Sequence, residues 1–413
     1  MRFRFLHAAD VHLDSPLRGL ARYDGVPADE VRTATRAAFG RLVDAAIEHG
    51  VAFVVLAGDL FDGEPKDVGA RHAVAAGFGA LGRAGIPVYA LTGNHDAASS
   101  IRATLPAMPH VHWFDTQRPQ TLVHEAAGVA LHGQGFGQRE VTLNLAARYP
   151  DRHAGRFNIG VLHTSLTGYD GHAPYAPCAV PELLAKGYDY WALGHVHAHA
   201  VVHPDPPVVF PGCLQGRSIR EDGAKGAVLV DVADGRVQSL RHLPLDVVRW
   251  ATIGVDAAGA TDLPAVTERL RLALEQAMAR QADGRPLLVR IVLDGATALH
   301  DALQDRNQDW GREPIQLLAA SVSPDIWIEK IVLRTVPAAA RAPAGDLGDL
   351  AALLDAPDLA MQERLRADLA AFIARQPTNP EPSSLLEAAR TGAWDALIAR
   401  AGAALRARLD AAG

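Results

Sequence analysis

The chain has 413 residues, of which 49% are hydrophobic and 21% are charged, so it is long enough for two or three domains. Its formal net charge of −7 argues against a protein whose surface is basic throughout for duplex binding. Its two cysteines, Cys178 and Cys213, are too few for a disulfide scaffold and lack the spacing of a zinc site. The sequence enters its first strand without a signal peptide, and no apolar run approaches the roughly 18 residues of a membrane span, so we expect a cytoplasmic protein.

Short apolar runs rich in β-branched and aromatic residues predict strands in the first half of the chain. Five of them matter for function: residues 3–6, 53–56, 88–91, 159–162 and 190–193. Helical stretches separate the runs, which is typical of βαβ units around a sheet that is buried on both faces. Ligands of such sheets bind outside the strand ends, where the loops converge. The sequence therefore predicts an α/β fold with a binding site at these five strand ends.

Residues that commonly bind metals stand directly after these runs. The seven candidate ligands are Asp10, His12, Asp59, Asn94, His163, His195 and His197. Their side chains offer nitrogen and oxygen but no thiolate, which favours two divalent cations over a structural zinc site. A pair of cations roughly 4 Å apart suits hydrolysis at a phosphoryl centre, because it stabilises the negative oxygens and orients the attacking water.

The candidate ligands divide into two sets that share one carboxylate. Asp59 is the natural bridge, because it is the lone ligand at its strand end. We assign the first ion to Asp10, His12, Asp59 and His197. We assign the second ion to Asp59, Asn94, His163 and His195. The mixture of imidazole and carboxylate ligands favours Mn²⁺ in both positions.

His95 is left without an ion by this assignment. A free imidazole beside a two-metal centre is suited to bind the phosphate and to protonate the leaving oxygen, so we predict a catalytic role for it. Asp62, three residues after Asp59, either orients the His95 ring or caps a helix. Asp96 is interpreted as a loop cap, because aspartate readily accepts hydrogen bonds from nearby backbone N–H groups. His199 is left out because both ligand sets are already filled.

The motifs around these residues resemble, in content and order, those of the calcineurin-like metallophosphoesterases. They are Asp-x-His at 10–12, Gly-Asp-x-x-Asp at 58–62, Gly-Asn-His-Asp at 93–96, the single His163, and Gly-His-x-His at 194–197. Each motif alone is common, but all five in this order, each after an apolar strand, form a specific pattern. Within the superfamily, segments 10–17 and 58–62 look like those of the SbcD-type double-strand-break repair nucleases.

The branch that the chain most resembles is the bacterial YhaO branch. Segments 172–178, 190–197 and 215–217 support this similarity, and segments 286–295 and 326–331 extend it, so that it covers about four-fifths of the chain. Two positions differ from the branch. The chain has Cys213 and Ser218 where that branch tends to have asparagine and histidine. Neither position is a metal ligand in our assignment.

The resemblance implies a four-layer α/β/β/α sandwich with a smaller α+β capping domain and a C-terminal helical segment. It also implies a two-metal phosphodiesterase, the exo- or endonuclease subunit of a DNA repair complex, whose partners are DNA and an SbcC-like coiled-coil ATPase. A phosphatase or a small-molecule or nucleotide phosphodiesterase of the same fold is an alternative. A regulatory scaffold for the ATPase is a second alternative, which the complete ligand set disfavours. The pattern leaves open whether the protein is a homodimer.

Changes in pattern along the chain predict three regions. Residues 1–246 form the nuclease domain, residues 247–336 form the capping domain, and residues 337–413 contain an Ala/Pro-rich linker and amphipathic helices. The apolar faces of those helices either pack on the cap or bind the ATPase. Within the first region, Arg217 and Arg220 lie in a loop near the site and are candidates for substrate contact.

Overall fold

The computed structural model describes residues 2–15, 28–63, 68–98, 105–167, 175–304 and 311–338, together with Glu363. The elements before residue 246 are, in chain order, β1 (Arg2–Ala8), α1 (Ala28–Glu48), β2 (Phe53–Ala57), α2 (Val68–Arg83), β3 (Val88–Leu91), β4 (Val111–Trp113), β5 (Gln120–His124), β6 (Val129–Gly133), β7 (Phe157–His163), α3 (Val180–Leu184), β8 (Tyr190–Gly194), β9 (Ala200–Pro204), β10 (Pro207–Phe210), β11 (Gly226–Ala233) and β12 (Arg236–Pro244). Short 3-10 turns at Asp96–Ala98, Glu125–Ala127, Ala146–Arg148 and Ile219–Glu221 lie between them.

The first sheet has the strand order β12-β11-β1-β2-β3-β4. Strands β1 to β4 are parallel, whereas β11 runs antiparallel to β1 and β12 antiparallel to β11. Every residue of β2 and β3 is buried, as expected for central strands covered on both faces. One face packs against α1 and α2 through buried side chains that include Phe39, Leu42, Phe78 and Leu81. Each such side chain contributes about 1.5–3 kcal/mol through its burial.

The second sheet has the strand order β5-β6-β7-β8-β10-β9. Its four inner strands are parallel, and the edge strands β5 and β9 are antiparallel to their neighbours. Side chains alternate along β7, so that Ile159 and Val161 face the first sheet while Leu162 faces outward. Aromatic rings fill the space between the sheets: Phe5 stacks on Phe53 at 5.1 Å between ring centres and meets the edge of Tyr190 at 5.2 Å.

The outer face of the second sheet carries a thinner layer. It consists of α3, the turn at Ala146–Arg148 and loop segments, which cover the buried Trp191 together with Tyr149 and Tyr188. The rings of Tyr149 and Tyr188 stack on Trp191 at 5.8 Å and 5.1 Å. Helices, two sheets and this outer layer make up the α/β/β/α sandwich, so the predicted fold is confirmed. No helix in the described ranges is long and apolar enough to cross a membrane.

The elements after residue 246 are β13 (Arg249–Asp256), α4 (Leu263–Ala277), a π-helical turn (Met278–Ala282), β14 (Leu287–Asp294), β15 (Ala296–Thr297), α5 (His300–Gln304), α6 (Arg312–Val322), β16 (Ile326–Leu333) and β17 (Val336–Pro337). Strands β13, β14 and β16 form a three-stranded sheet in that order. Helix α4 buries Val266, Leu270 and Leu274, the face that its sequence period predicts. The chain forms two compact units, of which the first comprises residues 1–253, 274–291 and 316–330 and holds all the candidate site residues.

The predicted boundary between the capping domain and the linker, at residues 336 and 337, falls within a short strand. Val336–Pro337 form β17, which pairs in parallel with β15. Val336 N donates to Gly295 O at 3.0 Å, and Ala338 N donates to Thr297 O at 3.1 Å. Pro337 fits between them because a two-residue ladder needs no N–H from it. The remaining linker and the predicted C-terminal helices lie outside the described residues, except for Glu363, which is helical.

Candidate metal centre

The loops that carry the candidate ligands leave the carboxyl ends of β1, β2, β3, β7 and β8. Four of the seven ligand residues have positive φ angles: Asp10 at 50°, His12 at 47°, Asp59 at 53° and His195 at 102°. Residues other than glycine rarely adopt this conformation, which costs of order 1 kcal/mol or more and clusters at functional sites. Backbone hydrogen bonds hold it here, because Asp10 N donates to Gly58 O and His12 N donates to Asp59 O, both at 3.0 Å.

Two of the glycines in the motifs allow close approach between these loops. A Cβ atom on Gly58 would lie 2.4 Å from His163 Nδ1, and one on Gly93 would lie 2.2 Å from Asp59 Oδ1. Any larger residue would therefore displace a candidate ligand. Asp96 joins the same loops, since its carboxylate accepts from Leu60 N, Phe61 N and Gly93 N at 3.1, 2.9 and 3.1 Å. This arrangement is the one expected of a loop cap.

The first predicted ligand set comes together in a buried cluster. His12 Nε2 lies 3.2 Å from His197 Nε2, 3.9 Å from Asp10 Oδ1 and 3.8 Å from Asp59 Oδ2. His197 Nε2 also lies 3.9 Å from Asp10 Oδ1. The backbone N–H of His195 donates to both oxygens of Asp10, at 3.2 and 2.9 Å, which fixes the orientation of that carboxylate. Asp10, His12 and His197 therefore bring their ligand atoms close together, and Asp59 adjoins them beside His12.

The second predicted set adjoins the first through Asp59. Asp59 Oδ2 lies 3.4 Å from His163 Nε2, while Asp59 Oδ1 accepts the backbone N–H of His95 at 2.9 Å. The side-chain oxygen of Asn94 lies 2.9 Å from His163 Nε2 and 3.3 Å from His195 Nδ1. Asp59 thus stands between the two sets, as a bridging carboxylate must. The structure brings all seven candidate residues together, and their division between two ions stays a prediction.

The chemistry of the cluster fits divalent cations. Two ligand atoms bound to one ion at about 2.1 Å lie no more than about 4.2 Å apart. The separations of His12 from His197, Asp10 and Asp59, and that of Asp59 from His163, satisfy this limit. His163 Nδ1 lies 3.0 Å from the carbonyl oxygen of Ala57, which only accepts, so this nitrogen carries a proton. In the neutral ring, His163 Nε2 then presents a lone pair to the oxygens of Asn94 and Asp59. A group of acceptors that face one another needs positive charge at its centre.

The pKa shifts agree with this need for positive charge. Burial lowers the pKa of His163, but the neighbouring Asp59 outweighs burial and raises it to about 9. Burial raises the pKa of Asp59, yet His163 beside it holds this pKa well below its usual range. The carboxylate is therefore ionised at neutral pH, although only 1% of Asp59 is exposed. A buried carboxylate stays charged only where a cation or strong donors compensate it.

His95 and Asp62 form a pair at the border of the cluster. His95 Nδ1 lies 2.7 Å from Asp62 Oδ1, and the His95 ring meets the His12 ring edge-on at 4.9 Å between ring centres. The hydrogen bond with Asp62 raises the pKa of His95 and lowers the pKa of Asp62. Of the two predicted roles for Asp62, the geometry matches the one in which it orients His95.

Two segments of the chain resemble known protein families. Residues 3–199 match the calcineurin-like phosphoesterase family, and residues 250–336 match the middle domain of metallophosphoesterase YhaO. A Bacillus subtilis protein named uncharacterized metallophosphoesterase YhaO is 34% identical over 295 residues, which cover 70% of this chain and 71% of that protein. The chain belongs to the calcineurin-like metallophosphoesterases. The predicted family is confirmed, and the chain is a phosphoesterase of a family that uses divalent metal ions.

Relatives of lower sequence identity are named DNA double-strand break repair protein Mre11. The DNA double-strand break repair protein Mre11 of Aeropyrum pernix is 28% identical over 314 residues, covering 70% of this chain and 73% of that protein. The protein of the same name from Methanopyrus kandleri is 28% identical over 232 residues, covering 51% of this chain and 48% of that protein. Among solved structures, a dimetal phosphatase from Danio rerio superposes with a TM-score of 0.34 at 11% identity, over 56% of this chain and 93% of that chain. A superposition this loose supports no functional conclusion.

Glu221 contacts the candidate metal centre but is not among the site residues predicted from the sequence. Glu221 Oε1 lies 2.7 Å from His197 Nδ1 and accepts from the Arg217 guanidinium at 3.0 Å. Burial raises the pKa of Glu221, but the hydrogen bond with His197 and the nearby Arg217 hold it well below its usual range. The sequence signals this residue only as an acid four positions after Arg217, a common spacing in any turn.

The two predicted substrate contacts differ in their surroundings. The Arg217 side chain is mostly buried, with hydrogen bonds to Glu221 and to Ser15 Oγ at 3.4 Å, so it is occupied by the protein itself. Arg220 is exposed. Cys213 is fully buried, with its sulfur 3.9 Å from Glu221 Oε2, and burial raises the pKa of its thiol well above the usual value. His197, Cys213 and Glu221 have the spacing of a cation site, so the prediction that sulfur takes no part stays a prediction.

Proposed function

We propose that the chain is a two-metal phosphodiesterase that cuts DNA, with Mn²⁺ as its ion. The observation that carries this proposal is the similarity to Mre11 proteins, whose name refers to DNA double-strand break repair. The match with the Aeropyrum pernix protein covers 70% of this chain, which is more than the phosphoesterase segment at 3–199. The likeness therefore includes part of the chain outside the segment that phosphoesterases of every specificity share.

The ions and the side chains that would hold them have separate roles in the proposed reaction. Bound at the seven candidate ligands, two divalent ions would supply Lewis-acid stabilisation of the phosphoryl oxygens and orientation of the attacking water. Asp59 Oδ2 lies 3.8 Å from His12 Nε2 and 3.4 Å from His163 Nε2, so this carboxylate would contribute negative charge to both ion positions. Asp10 and Asp59 are buried and ionisable, so the phosphate of a substrate is attracted only when cations outweigh them.

Three features of His95 support the proposal that it delivers the proton that a DNA leaving group requires. Its Nδ1 is bonded to Asp62 at 2.7 Å, so the second N–H of the imidazolium, on Nε2, is the one available to a substrate. The hydrogen bond with Asp62 raises the pKa of His95, which favours the protonated ring. The His95 side chain is 33% exposed, which leaves it accessible to a bound diester. The ring therefore serves as the general acid for the departing sugar oxygen.

The proposal also assigns roles in DNA selection and partner binding to the capping domain, the C-terminal segment and Arg220. The capping domain at residues 247–336 would select which DNA ends reach the metals. An SbcC-like coiled-coil ATPase would bind the C-terminal segment at residues 337–413, nearly all of which lies outside the described residues. Arg220, whose side chain is exposed, is the better of the two arginine candidates for a contact with DNA phosphate.

A substrate comparison tests the proposed function. Purified protein is stripped with chelator, reloaded with Mn²⁺ or Mg²⁺, and given linear duplex DNA, single-stranded DNA, a nitrophenyl phosphodiester or a nitrophenyl phosphomonoester. We expect Mn²⁺ to restore cleavage best, with DNA and the diester cut and the monoester left intact. The His95→Ala variant is the matched control, which should lose on the order of 10²-fold or more of its activity on DNA. Rapid cleavage of the monoester with none of DNA would favour a phosphatase and overturn the proposal.

A further inference from the structure

We infer that Glu221 is a positioning residue for the metal centre, which fixes the tautomer of His197 so that its Nε2 lone pair faces the ion. The inference rests on the two-metal centre proposed above, and it concerns a residue that is not one of the seven predicted ligands. It follows from the hydrogen bonds around one imidazole ring and from the donors and acceptors that each neighbour can offer.

The two ring nitrogens of His197 face different surroundings. Nε2 points into the cluster, 3.2 Å from His12 Nε2 and 3.9 Å from Asp10 Oδ1. Nδ1 points away from it, 2.7 Å from Glu221 Oε1. A carboxylate only accepts hydrogen bonds, so the proton of the neutral ring lies on Nδ1. Nε2 is then left with the lone pair that a cation requires, and a carboxylate behind a metal-binding imidazole also makes it a stronger ligand.

The Glu221 carboxylate is held in place by both of its oxygens. Glu221 Oε2 accepts the backbone N–H of Arg217 at 2.7 Å, and Glu221 Oε1 accepts from the Arg217 guanidinium at 3.0 Å. The Glu221 side chain is only 13% exposed, so water competes little for these bonds. A 3-10 turn, which Ser218 caps by accepting the N–H of Arg220, brings Glu221 back toward Arg217. The residue is therefore pre-oriented toward His197 by its own loop.

Arg217 makes this arrangement sensitive to the loss of Glu221. One guanidinium nitrogen of Arg217 lies 3.1 Å from His197 Nδ1, but a guanidinium has no acceptor and cannot take the ring proton. The same guanidinium supplies the positive charge at the group formed by His197, Cys213 and Glu221, which otherwise has the spacing of an ion site. Without Glu221, the arginine N–H would donate to Nδ1, and the ring proton would move to Nε2, facing the metal ligands.

The tautomer of His197 is the direct readout, and it requires no metal. Nitrogen-15 NMR of histidine side chains distinguishes a ring protonated on Nδ1 from one protonated on Nε2, and the His197→Ala variant assigns the signal. Wild-type protein should show the Nδ1–H form of the neutral ring. Glu221→Ala should show the Nε2–H form, and Glu221→Gln, whose amide oxygen can still accept, should retain part of the wild-type signal. An Nδ1–H ring in Glu221→Ala would overturn the inference.

Metal binding supplies the second readout. Calorimetric titration with Mn²⁺ should show two sites in wild-type protein, and Glu221→Ala should weaken one of them by about 10- to 100-fold and leave the other. In a His197→Ala background the Glu221→Ala change should have no further effect, because the glutamate acts through that ring. Additive losses in the double variant would contradict this, since they would mean that Glu221 supports the centre by another route.

The matched control is a glutamate in a similar pair away from the centre. Glu125 accepts from the Arg156 guanidinium at 3.1 and 2.8 Å on the surface. Glu125→Ala should change neither the His197 signal nor the Mn²⁺ titration. The measurements distinguish a failure of the proposed two-metal centre from a failure of the role inferred for Glu221. Wild-type protein that binds fewer than two ions defeats the two-metal centre, whereas the tautomer measurement decides the role of Glu221 whether or not metal binds.

Discussion

Replacing Asp62 by asparagine removes a charge from beside the proposed general acid while keeping the size of the side chain. Asp62 Oδ1 lies 2.7 Å from His95 Nδ1, and this hydrogen bond is the largest influence that raises the pKa of His95. The variant retains the ring and all seven candidate ligands. We therefore expect Asp62→Asn to lower the pKa of His95 without emptying the metal centre.

The size of the shift follows from the exposure of the pair. A hydrogen bond between charged groups contributes about 1.5–3 kcal/mol, against about 1 kcal/mol for a neutral one. The side chains of His95 and Asp62 are 33% and 21% exposed, so solvent screening reduces the difference. About 1 kcal/mol remains, and at about 1.4 kcal/mol per unit this lowers the pKa of His95 by about 0.7 units.

The pH dependence of DNA cleavage measures this shift. His95 acts in its protonated form, so activity falls as the pH rises through its pKa. A lower pKa moves this alkaline limb toward lower pH, by about 0.7 units in Asp62→Asn, and leaves activity below the limb nearly unchanged. The assay is kcat/KM for an oligonucleotide with Mn²⁺, measured across the neutral and alkaline range for both proteins.

A second substrate separates general acid catalysis from other effects of the substitution. Nitrophenolate is a weak base that departs without a proton, so a nitrophenyl diester makes little use of His95. The alkaline limb for this substrate should therefore move much less than the limb for DNA. An unchanged alkaline limb for DNA in Asp62→Asn, or an equal shift with both substrates, would refute the role of His95 as the acid.

Three further predictions concern metal retention, stability and the tail. His95→Ala should still bind two Mn²⁺ in a calorimetric titration, because His95 is not a ligand; loss of an ion would show that it is one. Burial lowers the pKa of His7 from 6.5 to about 3, so protonation of the unfolded chain destabilises the protein as the pH falls below 6.5. The free energy of unfolding in urea should then fall by about 2 kcal/mol for the wild-type protein relative to His7→Gln between pH 7 and pH 5. A difference between the two proteins that does not change with pH would exclude the effect. Deleting residues 340–413 should spare hydrolysis of a nitrophenyl diester but abolish co-purification with the ATPase, and an intact complex would defeat that partner site.

The elements that place the candidate ligands were predictable because their signals are local. The strands at residues 53–56 and 88–91 appear as continuous apolar runs, and the structure buries β2 and β3 completely. Parallel strands bring their carboxyl ends to one edge, so residues far apart in the sequence had to converge there. Asp59 and His95 illustrate this, because Asp59 Oδ1 accepts the backbone N–H of His95 at 2.9 Å from beyond the neighbouring strand β3. His163 reaches Asp59 from the second sheet, and this contact depends on the stacking of the two sheets.

What could not be predicted depends on contacts between distant or irregular segments. Strand β10 pairs in parallel with β8, although β9 lies between them in the sequence, and no local pattern specifies that order. Glu221 reaches His197 from a 3-10 turn, which has no strand period to direct a side chain. The strand β17 was not predicted, because its two residues are too few to show strand alternation, and the pairing of Val336–Pro337 with Ala296–Thr297 is a tertiary contact.

The most direct test of the two-metal centre is anomalous scattering from crystals grown with Mn²⁺. We predict two peaks, one on each side of Asp59, with the first surrounded by Asp10, His12 and His197 and the second by the other candidate ligands. The Asp59→Ala variant, which lacks the bridge, should lose both peaks. A single peak, or two peaks remote from Asp59 in the wild-type protein, would contradict the proposed centre.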